Sequence, residues 1–291
     1  MKNLFMLFGF TVLLYSCTSD DFVSDLENKK FNSVRSSNYG LVHNQGMEYI
    51  FRNINSELRQ GEHVEDAVLS LTIDYLTSKG YDLSNANHQQ LQVYRFMAKN
   101  DYLLIHFQAN IDNIKKMYED LRNDRVINSQ DLELINQLID LLKRFNQNVI
   151  DQNASAFEEE LFIKQFEQFY KLYDINKTSF SSISIGLMEI ASGSLAYWRN
   201  QDLTFAPDFI TVKYSEEIIP AILLRVIITD AIGAIEGAIM SGLAHRLSTN
   251  DWNWDSGKIS EDEALIGMLL GAVTSSGGFL GRMAARALRF L

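Results

Sequence analysis

Cysteine and proline are scarce in this chain, and basic residues are outnumbered by acidic ones, 26 to 37. It carries one cysteine, Cys17, in 291 residues. A lone thiol closes no intrachain disulfide and cannot supply the paired thiolates of a zinc site. The two prolines and the scarcity of alternating Val/Thr-rich runs argue against a strand-built fold. The formal charge is −11, and because neutralising phosphates needs a basic surface, nucleic acid is not an expected partner. Catalytic signatures are missing as well. There is no Gly-x-Ser-x-Gly elbow, no His-Glu-x-x-His, no Walker loop and no dinucleotide fingerprint. His43, His63, His88, His106 and His245 have no ligand-like spacing and read as surface or capping residues.

What is present is helical periodicity. Met47, Ile50, Phe51, Ile54 and Leu58 share one face, ending at Gly61. Val64, Ala67, Val68, Leu71 and Tyr75 form the next, with Gly80 as its C-terminal cap. Helices are expected over Asn87–Lys99 and Asp101–Asn123, then from Ser129, from the capping pattern at Ser155, and over Ser181–Trp198. Phe162, Phe166, Phe169 and Tyr173 recur at helical spacing and read as core, not as a ligand stripe. Asn200–Tyr214 reads as a connector, with a short extended piece at Phe209–Val212. The fold class expected is all-α, a multi-helix bundle.

Its most distinctive part is a C-terminal pair of small-residue helices, Ile218–Leu247 and Glu261–Phe290. Gly233 with Gly237, and Gly267 with Gly271, are Gly-x-x-x-Gly pairs. Each leaves a strip without side chains, so two backbones can approach closely in an antiparallel hairpin. A helical glycine costs roughly 1 kcal/mol relative to alanine, so so many of them need a packing reason. Ala264–Gly281 is uncharged and at the lower edge of a membrane span, but Arg225, Asp230 and Glu236 weigh against a bilayer for the first helix. We therefore expect a hairpin packed into the body. The glycine-rich pair also resembles the membrane-active segments of two-peptide bacteriocins, which implies a membrane-active factor as the alternative function.

The N-terminus has its own pattern. Lys2 precedes an apolar run, Leu4–Tyr15, and then Ser16-Cys17, the layout of a secretory signal. Leu14-Tyr15-Ser16-Cys17 resembles the lipobox of bacterial lipoproteins, with Tyr15 where a smaller residue is commoner. The following Ser19-Asp20-Asp21 is similar to the signal that sends lipoproteins of Bacteroidota-type bacteria to the outer face of the outer membrane. The resemblance implies a signal peptide over residues 1–16 and an acylated Cys17 as the membrane anchor. The rest of the expected organisation is a flexible tether to residue 42, a helical body over 43–200, and connector plus hairpin over 201–291.

Two sets of residues could carry chemistry. Asp251, Asn253, Asp255 and Glu263 offer oxygens through a stretch resembling an EF-hand calcium loop with Ser256 inserted before the glycine. Against calcium, Ser260 to Glu263 is also a capping box. The second set is His43 and Asp230, which would form a buried polar pair if the fold brought them together. Their segments, His43-Asn44-Gln45-Gly46 and Asp230-Ala231-Ile232-Gly233-Ala234, are similar to stretches of lipid-anchored bacterial proteins of unknown function. Asn44 alone reads as a helix cap. The expected function is a surface-exposed, lipid-anchored protein binding an unidentified protein or glycan without catalysis. An enzyme with an unfamiliar site is a third reading.

Overall fold

The computed structural model describes residues 38–83, 88–151, 155–200, 218–240 and 259–288. Among the described residues there is no strand, and nine α-helices follow one another. They are α1 (Tyr39–Arg59), α2 (Val64–Ser78), α3 (His88–Met97), α4 (Asn100–Asn123), α5 (Ser129–Ile150), α6 (Ala156–Ile175), α7 (Ser182–Asn200), α8 (Ile218–Ala238) and α9 (Glu261–Leu288). A 3-10 turn, Lys177–Ser179, joins α6 to α7. The all-α expectation holds.

Helix ends follow local chemistry. The Asn38 side chain accepts from Leu41 N at 2.9 Å and starts α1. The expected tether to residue 42 is therefore too long: Tyr39 and Gly40 are already helical and buried. Asn44 lies inside α1, so the capping role expected of it belongs to Asn38. Gly80 has φ +86°, a left-handed conformation that glycine adopts without penalty. There Gly80 N bonds Thr77 O at 2.9 Å and Tyr81 N bonds Leu76 O at 3.1 Å, closing α2 in a Schellman motif.

Asp131 does more than cap. One carboxylate oxygen accepts from Asn128 N at 2.8 Å, completing the capping box of α5. The other accepts from Ser181 N at 2.8 Å and ties in the start of α7. The carboxylate is buried, so its removal leaves two amide donors without these acceptors. Asp131→Ala is expected to cost about 2 kcal/mol. A urea midpoint unchanged from the parent would show that these bonds are replaced by water.

The core is arranged around the last two helices. Of all helix pairs, α8 and α9 make the largest contact. Around them, α9 packs on α1, α2, α3, α7 and α4, while α8 packs on α7, α4, α5 and α6. Every residue from Val226 to Met240 is buried, and so is Ala264–Gly281 except for half-buried Ile266 and Phe279. The hairpin is thus not a separate unit: Ser37–Leu291 cluster together. The aromatic stripe of α6 faces inward, with Phe162, Phe166 and Tyr173 buried and Phe162 edge-on to Phe145 at 5.2 Å.

The four glycines lie where α8 and α9 cross. A Cβ built on Gly237 would fall 3.1 Å from the Cα of Gly271 and closer still to the carbonyl oxygen of Gly267. On Gly271 it would fall 3.0 Å from the Cα of Gly237 and clash with Gly233 O. Residue numbers rise along one helix as they fall along the other, so the pair is antiparallel. The same device recurs between α1 and α7, where a Cβ on Gly193 would meet the Gly40 Cα at 2.9 Å.

Candidate functional site

Four helices converge on one sealed polar cluster. His43 comes from α1, Ser194 and Trp198 from α7, Asp230 from α8 and Ser276 from α9. The structure brings His43 and Asp230 to 3.6 Å, both side chains with 0% exposure. Ser194 Oγ and Trp198 Nε1 donate to Asp230 Oδ2 at 2.6 and 3.1 Å. Ser276 Oγ is bonded to the other oxygen, Oδ1, and lies 3.2 Å from His43 Nε2. On the far side of the ring, Asn44 Oδ1 is 3.0 Å from His43 Nδ1.

Counting hydrogens fixes the charge of this chain. Asn44 Nδ2 donates to Gly193 O at 3.2 Å, which turns the Asn44 oxygen toward His43. His43 Nδ1 therefore carries a hydrogen, and Nε2 of the neutral ring offers a lone pair. Two hydrogen bonds connect Nε2, Ser276 Oγ and Asp230 Oδ1, but the hydroxyl has one hydrogen. The second hydrogen comes from a protonated Asp230 or from an imidazolium, so the pair holds one shared proton and is neutral.

Burial selects between these forms. Desolvation pushes the Asp230 carboxyl up to about 8 against the donations from Ser194 and Trp198. Desolvation likewise holds His43 down at about 4, against the Asn44 bond. Both shifts favour the neutral acid beside the neutral ring. Asp230 then donates to Ser276, which donates to His43.

A hydroxyl, an imidazole and a carboxyl in line are the parts of a nucleophilic site. Here they meet no solvent: His43, Ser194, Asp230 and Ser276 are each 0% exposed. Ser276 also sits inside α9, where backbone N–H groups serve the helix and none is left to stabilise an oxyanion. What the arrangement does is tie α1 and α7 to the central hairpin.

A second pair repeats the pattern. His106 Nδ1 of α4 lies 3.1 and 3.2 Å from the two carboxylate oxygens of Glu236 on α8. Glu236 is buried, and desolvation raises its pKa despite the histidine. The bond to Glu236 raises that of His106. Beside them Tyr118 Oη donates to Ile235 O at 2.8 Å. The surface or capping role expected of His43 and His106 is therefore corrected: each pairs with an acid of α8. His63 does precede α2 and is exposed.

Sequence reading singled out His43 and Asp230 but missed Ser194, Trp198, Ser276 and the His106–Glu236 pair. Ser276 lies one position past Ser275 of the small-residue face, so no local signal marked it. Partners separated by 130 residues, as His106 and Glu236 are, have no signature in a single sequence.

Glu263 Oε2 accepts from Ser260 N at 2.8 Å and from Ser260 Oγ at 3.0 Å, the capping-box role. Asp251, Asn253 and Asp255 lie outside the described residues, as do Cys17 and the Phe209–Val212 piece. Among the described residues no group of three His, Cys, Asp or Glu side chains could hold a metal ion. A cleft of about 560 Å³ opens between the end of α4 and the start of α5, lined by Arg122, Arg125 and Asn128 among others. None of the cluster residues lines it. No protein-family model, no curated protein and no solved structure matches this chain.

Proposed function

We propose that this is a lipid-anchored protein of the outer-membrane surface whose helical body acts by interaction and not by catalysis. The observation that carries the second half is the sealing of the Asp230–Ser276–His43 chain. Among the described residues, the place where a hydroxyl, an imidazole and a carboxyl line up has 0% exposure at each of the three. The outward-facing helices instead present apolar side chains to water, with Phe157 70% and Ile175 79% exposed on α6. An unidentified protein or glycan is the expected partner, and calcium at Asp251–Glu263 would be an accessory, not a catalyst.

The anchor half rests on Leu14-Tyr15-Ser16-Cys17 and Ser19-Asp20-Asp21. Cells fed labelled palmitate are expected to incorporate it into the parent protein and not into Cys17→Ala. Protease added to intact cells should digest the parent protein. Label retained by Cys17→Ala would overturn the anchor, and resistance to added protease would overturn the outward orientation.

A further inference from the structure

Positive charge and exposed rings collect at one corner of the fold, where α3 turns into α4 beside the hairpin. Gly233 stands against Gly271 and Gly237 against Gly267, and Ser275 Oγ lies 3.3 Å from Thr229 O. That register brings Arg225 of α8 level with Phe279 of α9, within a turn of Arg282. Arg282 Nη1 donates to Ala98 O at 2.6 Å, just past the end of α3. Arg225 reaches Asp101 at the start of α4. Burial, with the positive charge of Arg225 and Arg286, pulls the Arg282 pKa down to about 10.

The carboxylates of this corner leave some of its cations unmatched. Asp66 takes Arg95 in a two-pronged bond, with Nη2 donating to Oδ2 at 2.8 Å. Asp101 takes Arg225, and Glu65 compensates Arg282 in part. Among the described residues, Lys99 and Arg286 have no carboxylate partner. In a chain of charge −11, unmatched cations gathered at one place make a local field that draws anions.

The rings lie at the same place. Phe96 of α3 and Tyr102 of α4 are 41% and 52% exposed, with centroids 5.5 Å apart. Tyr102 stacks on His106 at 5.8 Å, and His106 is pinned by buried Glu236. Lys99 Nζ stands 5.4 Å from the centroid of Phe96. Ile105, three residues after Tyr102 and 56% exposed, continues the apolar surface along α4. Each ring already rests on a neighbour, and side chains ordered in advance lose little freedom on binding.

Few ligands match both features. Among the described residues the corner has no strand edge for a peptide to extend. The face of an aromatic ring is electrically negative, so it attracts the weakly positive C–H groups on the flat side of a sugar ring. Guanidinium and ammonium groups bind carboxylate or sulfate. An acidic polysaccharide offers both along one chain. Nucleic acid also joins flat rings to anions, but it is charged at every unit, and the acidic remainder of this protein repels it.

We propose that the α3–α4 corner binds an acidic polysaccharide, its sugar rings on Phe96 and Tyr102 and its carboxylates or sulfates against Lys99, Arg225, Arg282 and Arg286. This names the partner within the interacting role proposed above, and it rests on that role.

The test is native electrophoresis of the full chain carrying Cys17→Ser, through gels with and without dissolved polymer. Polygalacturonate, alginate, chondroitin sulfate and heparin are the probes, with dextran as a neutral control and oligothymidylate as a different polyanion. At least one of the four acidic polysaccharides is expected to retard the protein, and less so as salt rises. Dextran and oligothymidylate are expected not to. Lys99→Gln with Arg286→Gln should weaken the retardation at least tenfold, and Tyr102→Leu at least threefold. Arg122→Gln with Arg125→Gln, at the cleft by the other end of α4, should leave it unchanged.

No retardation by any of the four overturns the proposal. So does retardation that survives loss of Lys99 and Arg286, or that falls equally on loss of Arg122 and Arg125. Retardation undiminished in Tyr102→Leu shows ionic binding without stacking and overturns the sugar face. Equal retardation by oligothymidylate assigns the corner to nucleic acid and overturns it too. Thermal melting checks that each variant is folded; should Tyr102→Leu melt below the parent, the paired charge change decides alone. Palmitate labelling and protease digestion of intact cells do not depend on sugar binding, so the anchored-protein reading and this one fail separately.

Discussion

Gly237→Ala is expected to destabilise the protein by about 2–3 kcal/mol, although alanine is the better helix former by roughly 1 kcal/mol. The added methyl would run into the carbonyl oxygen of Gly267 and lie 3.1 Å from the Gly271 Cα. Both obstacles are backbone of a helix packed on five other helices besides α8, so neither can swing aside. The α8–α9 axes must separate, and every contact between them loosens. Gly186→Ala is the comparison. Its Cβ would meet the terminal methyl of Met268, a flexible side chain, with Tyr39 Cδ2 next at 3.3 Å. Met268 can change rotamer, so Gly186→Ala is expected to be neutral or slightly stabilising. Thermal unfolding separates the two, since 2–3 kcal/mol in a chain of this size moves Tm by on the order of 5 °C or more. Equal melting of the two variants would show that backbone contact at Gly237 is not what sets the helix separation.

Raising the pH from about 6.5 to about 8 is expected to remove about 2 kcal/mol of stability through the Asp230–His43 pair alone. In the unfolded chain the carboxyl titrates at its ordinary 3.8 and the imidazole at 6.5. In the folded protein His43 titrates at about 4 and Asp230 at about 8. Between about pH 4 and 6.5 each state binds one proton, on the aspartate when folded and on the histidine when unfolded, so stability does not change. Above 6.5 the unfolded chain has lost its proton while the folded chain keeps it. Stability then falls as pH rises, until Asp230 ionises. The raised pKa values of Glu236 and His106 act with the same sign, their contribution fading as pH rises through the folded values.

Asp230→Asn isolates the first pair. Its amide nitrogen replaces the acid proton as donor to Ser276, leaving the Ser276 hydrogen for His43. The variant is expected to fold, and the difference between its urea midpoint and that of the parent should narrow from about pH 6 to pH 8.5 by the equivalent of about 2 kcal/mol. A difference that stays constant over that range would mean that Asp230 is ionised throughout, with the shared proton absent.

Much of the fold is already determined by local sequence. Asn128 with Asp131 and Ser260 with Glu263 start helices because a side-chain oxygen lies within reach of an amide three residues away. Gly80 ends one because it alone tolerates φ +86° there at no cost. The apolar period of α5 and the aromatic period of α6 mark their buried faces without reference to any neighbour. Even the glycine strips are legible, since side-chain-free faces at helical spacing have little use except close approach.

Tertiary structure decided what those faces meet and what the polar residues do. Gly237 opposes Gly267 and Gly271 because α8 and α9 run antiparallel. His43 and Asp230 are 187 positions apart in the chain, yet they share a proton because Ser276, from a third helix, lies between them. Whether a histidine caps a helix, faces water or meets a buried acid depends on which helices the core draws together. That choice is made by the summed burial of many apolar side chains, which no single position records.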